Sequence, residues 1–174
     1  MKIKLLFFLT IISINGMSQV NQALLNAHSQ KLNNAKVYLL TIINSMDENK
    51  FDYKPVKEEM SFKEQLLHIG ENLLWLSSTY IKEQPIAQQE LKNHPAVMSK
   101  KEISIFVGDA FDYAIQTING LDQSTLLKEF SWSGGKMNKL QFLNLIQDHQ
   151  SHHVGQLIVY IRLNGITPPR YIGW

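Results

Sequence analysis

Leu25, Leu32, Leu39 and Met46 recur every seven residues, with Ala35 and Ile42 between them. An apolar stripe at that interval belongs to a helix burying one face; a strand, whose faces alternate every two residues, cannot use it. The signature returns three times. Ser61, with Glu64 three residues on, marks a capped helix start, and Leu66, Ile69, Leu73, Leu76 and Tyr80 follow before Pro85 closes the segment. Ser99 and Glu102 repeat the cap ahead of Ile103, Phe106, Ala110, Ala114 and Ile118, with Asn119-Gly120 as the stop. Asn138 and Gln141 open a fourth helix that runs to Leu163, where Asn164-Gly165 and Pro168-Pro169 end it. Phe130 to Lys136, containing Ser133-Gly134-Gly135, reads as a turn or loop, and no run of alternating strand residues intervenes. Four long amphipathic segments predict an all-α four-helix bundle.

The start of the chain reads differently. Lys2 and Lys4 precede an apolar stretch from Leu5 to Ile14, followed by Asn15-Gly16-Met17-Ser18. A short basic region, about ten apolar residues and small residues two apart predict a secretory signal peptide over residues 1–18, with the bundle domain over 19–174. The run is too short for a membrane span, which needs about 20 apolar residues. Its alternative is a hydrophobic extension of the first helix. Cleavage would remove Lys2 and Lys4 from the chain's 17 Lys+Arg, leaving 15 against 15 Asp+Glu. The expected mature protein is therefore exported, periplasmic or secreted, and neutral. Such a balance is poor for gripping a phosphate backbone, so no nucleic-acid partner is expected. The absence of cysteine excludes a disulfide framework, a thiolate metal site and a cysteine nucleophile. The sequence leaves room for a homodimer.

Chemistry concentrates in the fourth helix, where Asp148-His149-Gln150-Ser151-His152-His153-Val154-Gly155-Gln156 holds three of the six histidines. At about 100° per residue, His153 falls near the apolar centre formed by Phe142, Ile146, Leu157 and Tyr160, and His149 lies about 40° from it. His152 turns toward the polar side with Asp148 and Ser151. Two inward imidazoles one turn apart can grip one divalent cation. Hydrogen-bonded core histidines are the alternative. The Glu of the helical zincin motif is missing, so that protease chemistry is excluded. A third ligand must come from elsewhere. Periodicity nominates His28, on the first stripe, and sets His68 off its helix's apolar centre near Glu64, Glu71, Asn72 and Trp75. A polar pocket could still be lined by an off-stripe histidine. His94, before Pro95, reads as an exposed loop residue.

Ser61-Phe62…Leu66-Leu67-His68-Ile69-Gly70-Glu71-Asn72 and the Asp148–Gln156 segment resemble the DinB-like family of metal-binding four-helix bundles. Tyr53-Lys54-Pro55 before the second helix and Leu163-Asn164-Gly165-Ile166-Thr167-Pro168-Pro169 after the fourth fit the same resemblance, which runs from about Val20 to the end. The resemblance implies metal ligation by His68, His149 and His153, choosing His68 over His28. Family members commonly carry Arg directly after the paired histidines, and Val154 stands there instead, which removes any substrate contact that Arg would make. Characterised relatives include thiol-dependent transferases and isomerases, whereas an exported protein lies away from cytosolic thiols. The expectation is a divalent transition metal, zinc or nickel foremost, and metal-dependent hydrolysis or transfer on a small-molecule substrate. A non-catalytic metal-binding, stress-related bundle is the alternative. Gln156 and Tyr160 are expected to orient a water or polarise a substrate, and Glu71 is a candidate base or else a solvated helix carboxylate.

Overall fold

The computed structural model describes residues 2–95 and 97–173, with side chains from residue 19 onward. The expected signal peptide, residues 1–18, lies outside the residues whose side chains are described. The described residues are mostly helical, with five α-helices among them: α1 Lys2–Ser45, α2 Phe62–Leu76, α3 Gln88–Leu91, α4 Lys100–Asn119 and α5 Lys139–Leu163. Among the described residues, no helix is long and apolar enough to cross a membrane.

The four long helices share one core. Leu25, Leu32, Leu39 and Met46 are all buried, as their spacing requires. They meet Leu66, Ile69 and Leu73 of α2, Phe111 and Ala114 of α4, and Phe142, Ile146 and Leu157 of α5. α1 packs against α4 and α5, and α2 packs against the same two, so the order around the core is α1, α4, α2, α5. Reciprocal capping boxes start three of these helices. The Glu64 N–H donates to Ser61 Oγ while the Ser61 N–H donates to Glu64 Oε2, and Ser99/Glu102 and Asn138/Gln141 repeat the exchange.

The second helix does not continue to Pro85 in regular form. Its α-helical part ends at Leu76 and a π-turn covers Ser77–Ile81. The buried Ser77 hydroxyl donates to the Leu73 carbonyl and that of Ser78 to the Trp75 carbonyl, competing with the i to i−4 ladder. The widened turn carries Tyr80 onto Phe142, with ring planes 6° apart and centroids separated by 4.0 Å.

A second correction lies before α5. Glu129–Trp132 (β1) and Gly135–Asn138 (β2) form an antiparallel hairpin, not a loop, so the fold is not wholly α-helical. Trp132 pairs with Gly135 across a two-residue turn, and Gly134 has φ 109, a conformation that suits glycine. With four residues per strand, alternation is too brief to stand out in sequence. What anchors the hairpin is aromatic packing: Trp132 lies 5.7 Å from Trp75, 5.5 Å from Tyr80 and 5.3 Å from Phe142, centroid to centroid.

Two glycines give opposite expectations. A Cβ on Gly70 of α2 would sit 2.4 Å from Phe106 Cε1, so α2 and α4 approach at a point where a methyl group does not fit. A Cβ on Gly155 of α5 would meet nothing within 4 Å. Gly70→Ala is expected to lower stability by about 1 kcal/mol, overpacking of roughly 1–3 outweighing the roughly 1 kcal/mol helix preference for Ala. Gly155→Ala is expected to raise it by up to about 1 kcal/mol. Urea denaturation of both variants checks the pair, and equal shifts of one sign would contradict this packing.

Candidate metal centre

Three histidines from two helices meet at the seam between α2 and α5. The i, i+4 spacing on α5 puts the His149 and His153 rings 4.5 Å apart, and His68 of α2 reaches across to within 4.9 and 4.6 Å of them. One potential ligand nitrogen from each lies within 4.8 Å of the other two. His68 Nε2 and His149 Nε2 are 3.1 Å apart. Two nitrogens bound at about 2.05 Å to one ion would be separated by about 2.9 Å at a right angle and about 3.3 Å at a tetrahedral one. The His68–His149 spacing falls between those values, so this pair suits a shared cation. Without one, a single ring proton shared between the two nitrogens accounts for the contact.

His153 is buried, and its Nδ1 is 2.5 Å from Gln65 Oε1 and 3.1 Å from Gln156 Oε1. Both partners are acceptors, so Nδ1 carries the proton and donates, leaving Nε2 with the lone pair. Gln65 is fully buried, and sequence reasoning passed over it. A signal was present: Gln65 sits between Phe62 and Ile69 at helical spacing, and a polar side chain on an apolar stripe needs a buried partner.

The electrostatics favour neutral rings. Burial, reinforced by the neighbouring imidazoles of His153, His68 and His152, holds His149 down to about 4. Burial with His68 and His152 does the same to His153, down to about 4, against the opposing Gln156 hydrogen bond. His68 is lowered by burial and Lys92, with Glu71 pulling the other way. Near neutral pH all three therefore keep a lone pair for a cation instead of a proton.

Other histidines stand apart from the cluster. His28, nominated by periodicity, is half-buried on α1, and its backbone carbonyl accepts a 3.1 Å hydrogen bond from Gln147 Nε2. His152 is exposed, with its ring edge-on to His153. His94 is not an exposed loop residue. Its Nε2 lies 3.0 Å from Glu71 Oε1 and its ring packs edge-on against Phe106, which tethers the segment carrying α3 over α2. Glu71 is accordingly not a freely solvated carboxylate. Tyr160 also departs from expectation, because its hydroxyl donates to the Met60 carbonyl at 2.8 Å. Val154 is buried in the core.

His68 also lines a cavity of about 180 Å³, together with Glu71, Asn72, Trp75, Leu91 and Lys92. A small molecule entering it would meet His68 directly.

A larger cavity of about 390 Å³, elsewhere in the fold, is bounded by Tyr113, Lys139 and Glu83. There the buried Lys139 ammonium is fully engaged, donating to Glu83, to the Ile81 carbonyl and to Thr125 Oγ1. It acts as a tie between elements.

Comparison with known proteins agrees with the fold. The sequence model of the DinB family matches residues 17–172. A crystal structure of a DinB-like protein from Bacillus subtilis superposes with a TM-score of 0.69 at 19% identity, covering 84% of this chain and 98% of that one. Another, of a DinB-like protein from Bacillus cereus, gives 0.68 at 16% identity, covering 83% and 95%. At these identities the likeness speaks for the fold. A comparison with curated proteins finds no match.

The depressed imidazoles have a consequence for the metal-free protein. In the unfolded chain these histidines accept protons near pH 6.5, whereas in the fold His149 and His153 do so near 4. Their contribution to stability is therefore present above 6.5 and lost as pH falls toward 4. Between pH 7.5 and 4.5, metal-free protein is expected to lose more stability in urea than a His149→Gln/His153→Gln variant does. Equal losses would show that the imidazoles are not held neutral.

Proposed function

We propose, on the premise that this chain belongs to the DinB family, that His68, His149 and His153 hold one divalent transition metal, zinc or nickel foremost. On this reading the site performs metal-dependent hydrolysis or group transfer on a small molecule. The observation that carries it is the convergence of three neutral imidazoles beside an open cavity. When bound, such an ion supplies Lewis acidity, bringing a bound water to a pKa of about 7 at well-tuned zinc sites or holding a thiol as thiolate.

The chain's own residues supply the rest. Three protein ligands leave room for a water or substrate, whereas a structural zinc site is normally closed by four. Gln65 and Gln156 hold His153 in one tautomer and one orientation, the role that outer partners play for metal-bound imidazoles. Asn72 and Glu71 face the cavity where they can orient a bound molecule. A second reading, a bundle that holds metal without turnover, draws on the engagement of Glu71 by His94 and of Tyr160 by Met60. Neither group is then a free base beside the cluster.

Elemental analysis of the untagged protein purified without chelators tests the proposal. About one transition metal per chain is expected, lost in His68→Ala, His149→Ala and His153→Ala and retained in His152→Ala and His28→Ala. Gln65→Leu is expected to weaken metal affinity roughly 10- to 100-fold while preserving the fold. Full metal content in the His153 variant would refute the ligand set.

Export to the periplasm or medium is supported by the pattern of residues 1–18. Exported protein is expected to begin near Gln19 by N-terminal sequencing, and an intact Met1 would oppose it.

A further inference from the structure

We infer that the cavity beside His68 binds a small monocarboxylate with a flat apolar body, held by Lys92 at its charged end and by Trp75 and Leu91 along its length. This rests on the metal reading above and adds the class of ligand the site takes.

Size sets the first limit. The cavity measures about 180 Å³. A dry protein cavity of about 150 Å³ holds benzene, so this one suits a molecule of roughly ten heavy atoms.

Charge sets the second. Three imidazoles bring no negative charge to a divalent ion, so an ion held by them would leave two positive charges uncompensated beside His68, which lines the cavity. Lys92 adds a third positive charge in the wall. Glu71 is the carboxylate among the lining residues, and one of its oxygens already faces His94 Nε2 at 3.0 Å. The balance favours an anion. A single ammonium suits a carboxylate, whereas sites for a phosphate dianion typically gather arginine forks or clustered backbone N–H groups.

Shape sets the third. Trp75 is braced from behind, its ring 31° from the plane of Trp132 at 5.7 Å and edge-on to Tyr80 at 5.9 Å, so it offers a fixed apolar surface. Leu91 of α3 is buried against this region. The His94–Glu71 contact holds the α3 segment, and with it Leu91 and Lys92, in place over α2. Asn72 adds an amide for a polar substituent.

The test uses the full chain, zinc-loaded and metal-free, titrated calorimetrically with phenylacetate, its neutral isostere phenylacetamide and cationic phenethylamine. Phenylacetate is expected to bind the zinc-loaded protein at least tenfold tighter than either analogue. In Lys92→Gln, a change at an exposed side chain, that preference should fall to about threefold or less. Zinc titration of the same samples separates the two ideas. If zinc binds and phenylacetate shows no preference, the ligand assignment falls and the metal reading stands. If zinc does not bind, the metal reading falls and the metal-free titration decides: a preference for phenylacetate abolished by Lys92→Gln sustains the pocket, and its absence overturns it. A preference that survives Lys92→Gln would mean the carboxylate sits on the metal alone, and this also overturns the assignment.

Discussion

The hydrogen bond from His153 to Gln65 joins α5 to α2 inside the core, at 2.5 Å between two buried side chains. Everything polar at this seam depends on it. An imidazole buried without a partner would cost roughly 1–3 kcal/mol, and one free to rotate would not present a fixed lone pair. With Nδ1 committed to Gln65 and Gln156, the ring has one orientation and one tautomer, and Nε2 is left for chemistry. The i, i+4 geometry of α5 then sets His149 beside it, and His68 completes the group from α2. The four long helices supply the rigid frame, since α2 is held between α4 and α5, and α5 between α2 and α1.

Around that seam the smaller elements shape the approach. The π-turn at Ser77–Ile81 swings Tyr80 onto Phe142, and the β1–β2 hairpin lays Trp132 against Trp75. Together Tyr80 and Trp132 brace Trp75, the aromatic residue of the cavity wall. On the other side, Gly70 lets Phe106 lie close to α2; Phe106 supports His94, and His94 holds Glu71. A backbone position without a side chain therefore helps to fix the wall beside His68. Core packing and the candidate site are continuous here, because the same α2–α4 approach serves both.

Much of the frame was legible in the sequence. The seven-residue stripe of α1 and the cap pairs at Ser61, Ser99 and Asn138 encode local physics, and local physics decides where a helix starts and which face it buries. The missed features depend on tertiary contacts. Nothing in Ser77-Ser78 alone announces a π-turn, since the two hydroxyls return to the backbone only once both are buried. The hairpin strands are stabilised by Trp75, Tyr80 and Phe142, which are distant in sequence. His28 outranked His68 on periodicity because a stripe reports contact with the apolar core, while a ligand faces a polar hole beside it; the family resemblance, carrying information that periodicity lacks, pointed to His68. His94 looked solvated because its partners, Glu71 and Phe106, lie on two other helices. Gln65 was visible as a polar residue on an apolar stripe, but its partner on α5 was not.

The central claim is that three imidazoles from α2 and α5 share one metal ion. X-ray absorption at the metal edge of the zinc-loaded protein measures this most directly. Coordination by His68, His149 and His153 predicts three imidazole nitrogens at about 2.0–2.1 Å, with their outer-ring scattering, plus one or more light atoms from solvent. A shell with fewer than two imidazoles, or one made of oxygen alone, would contradict it.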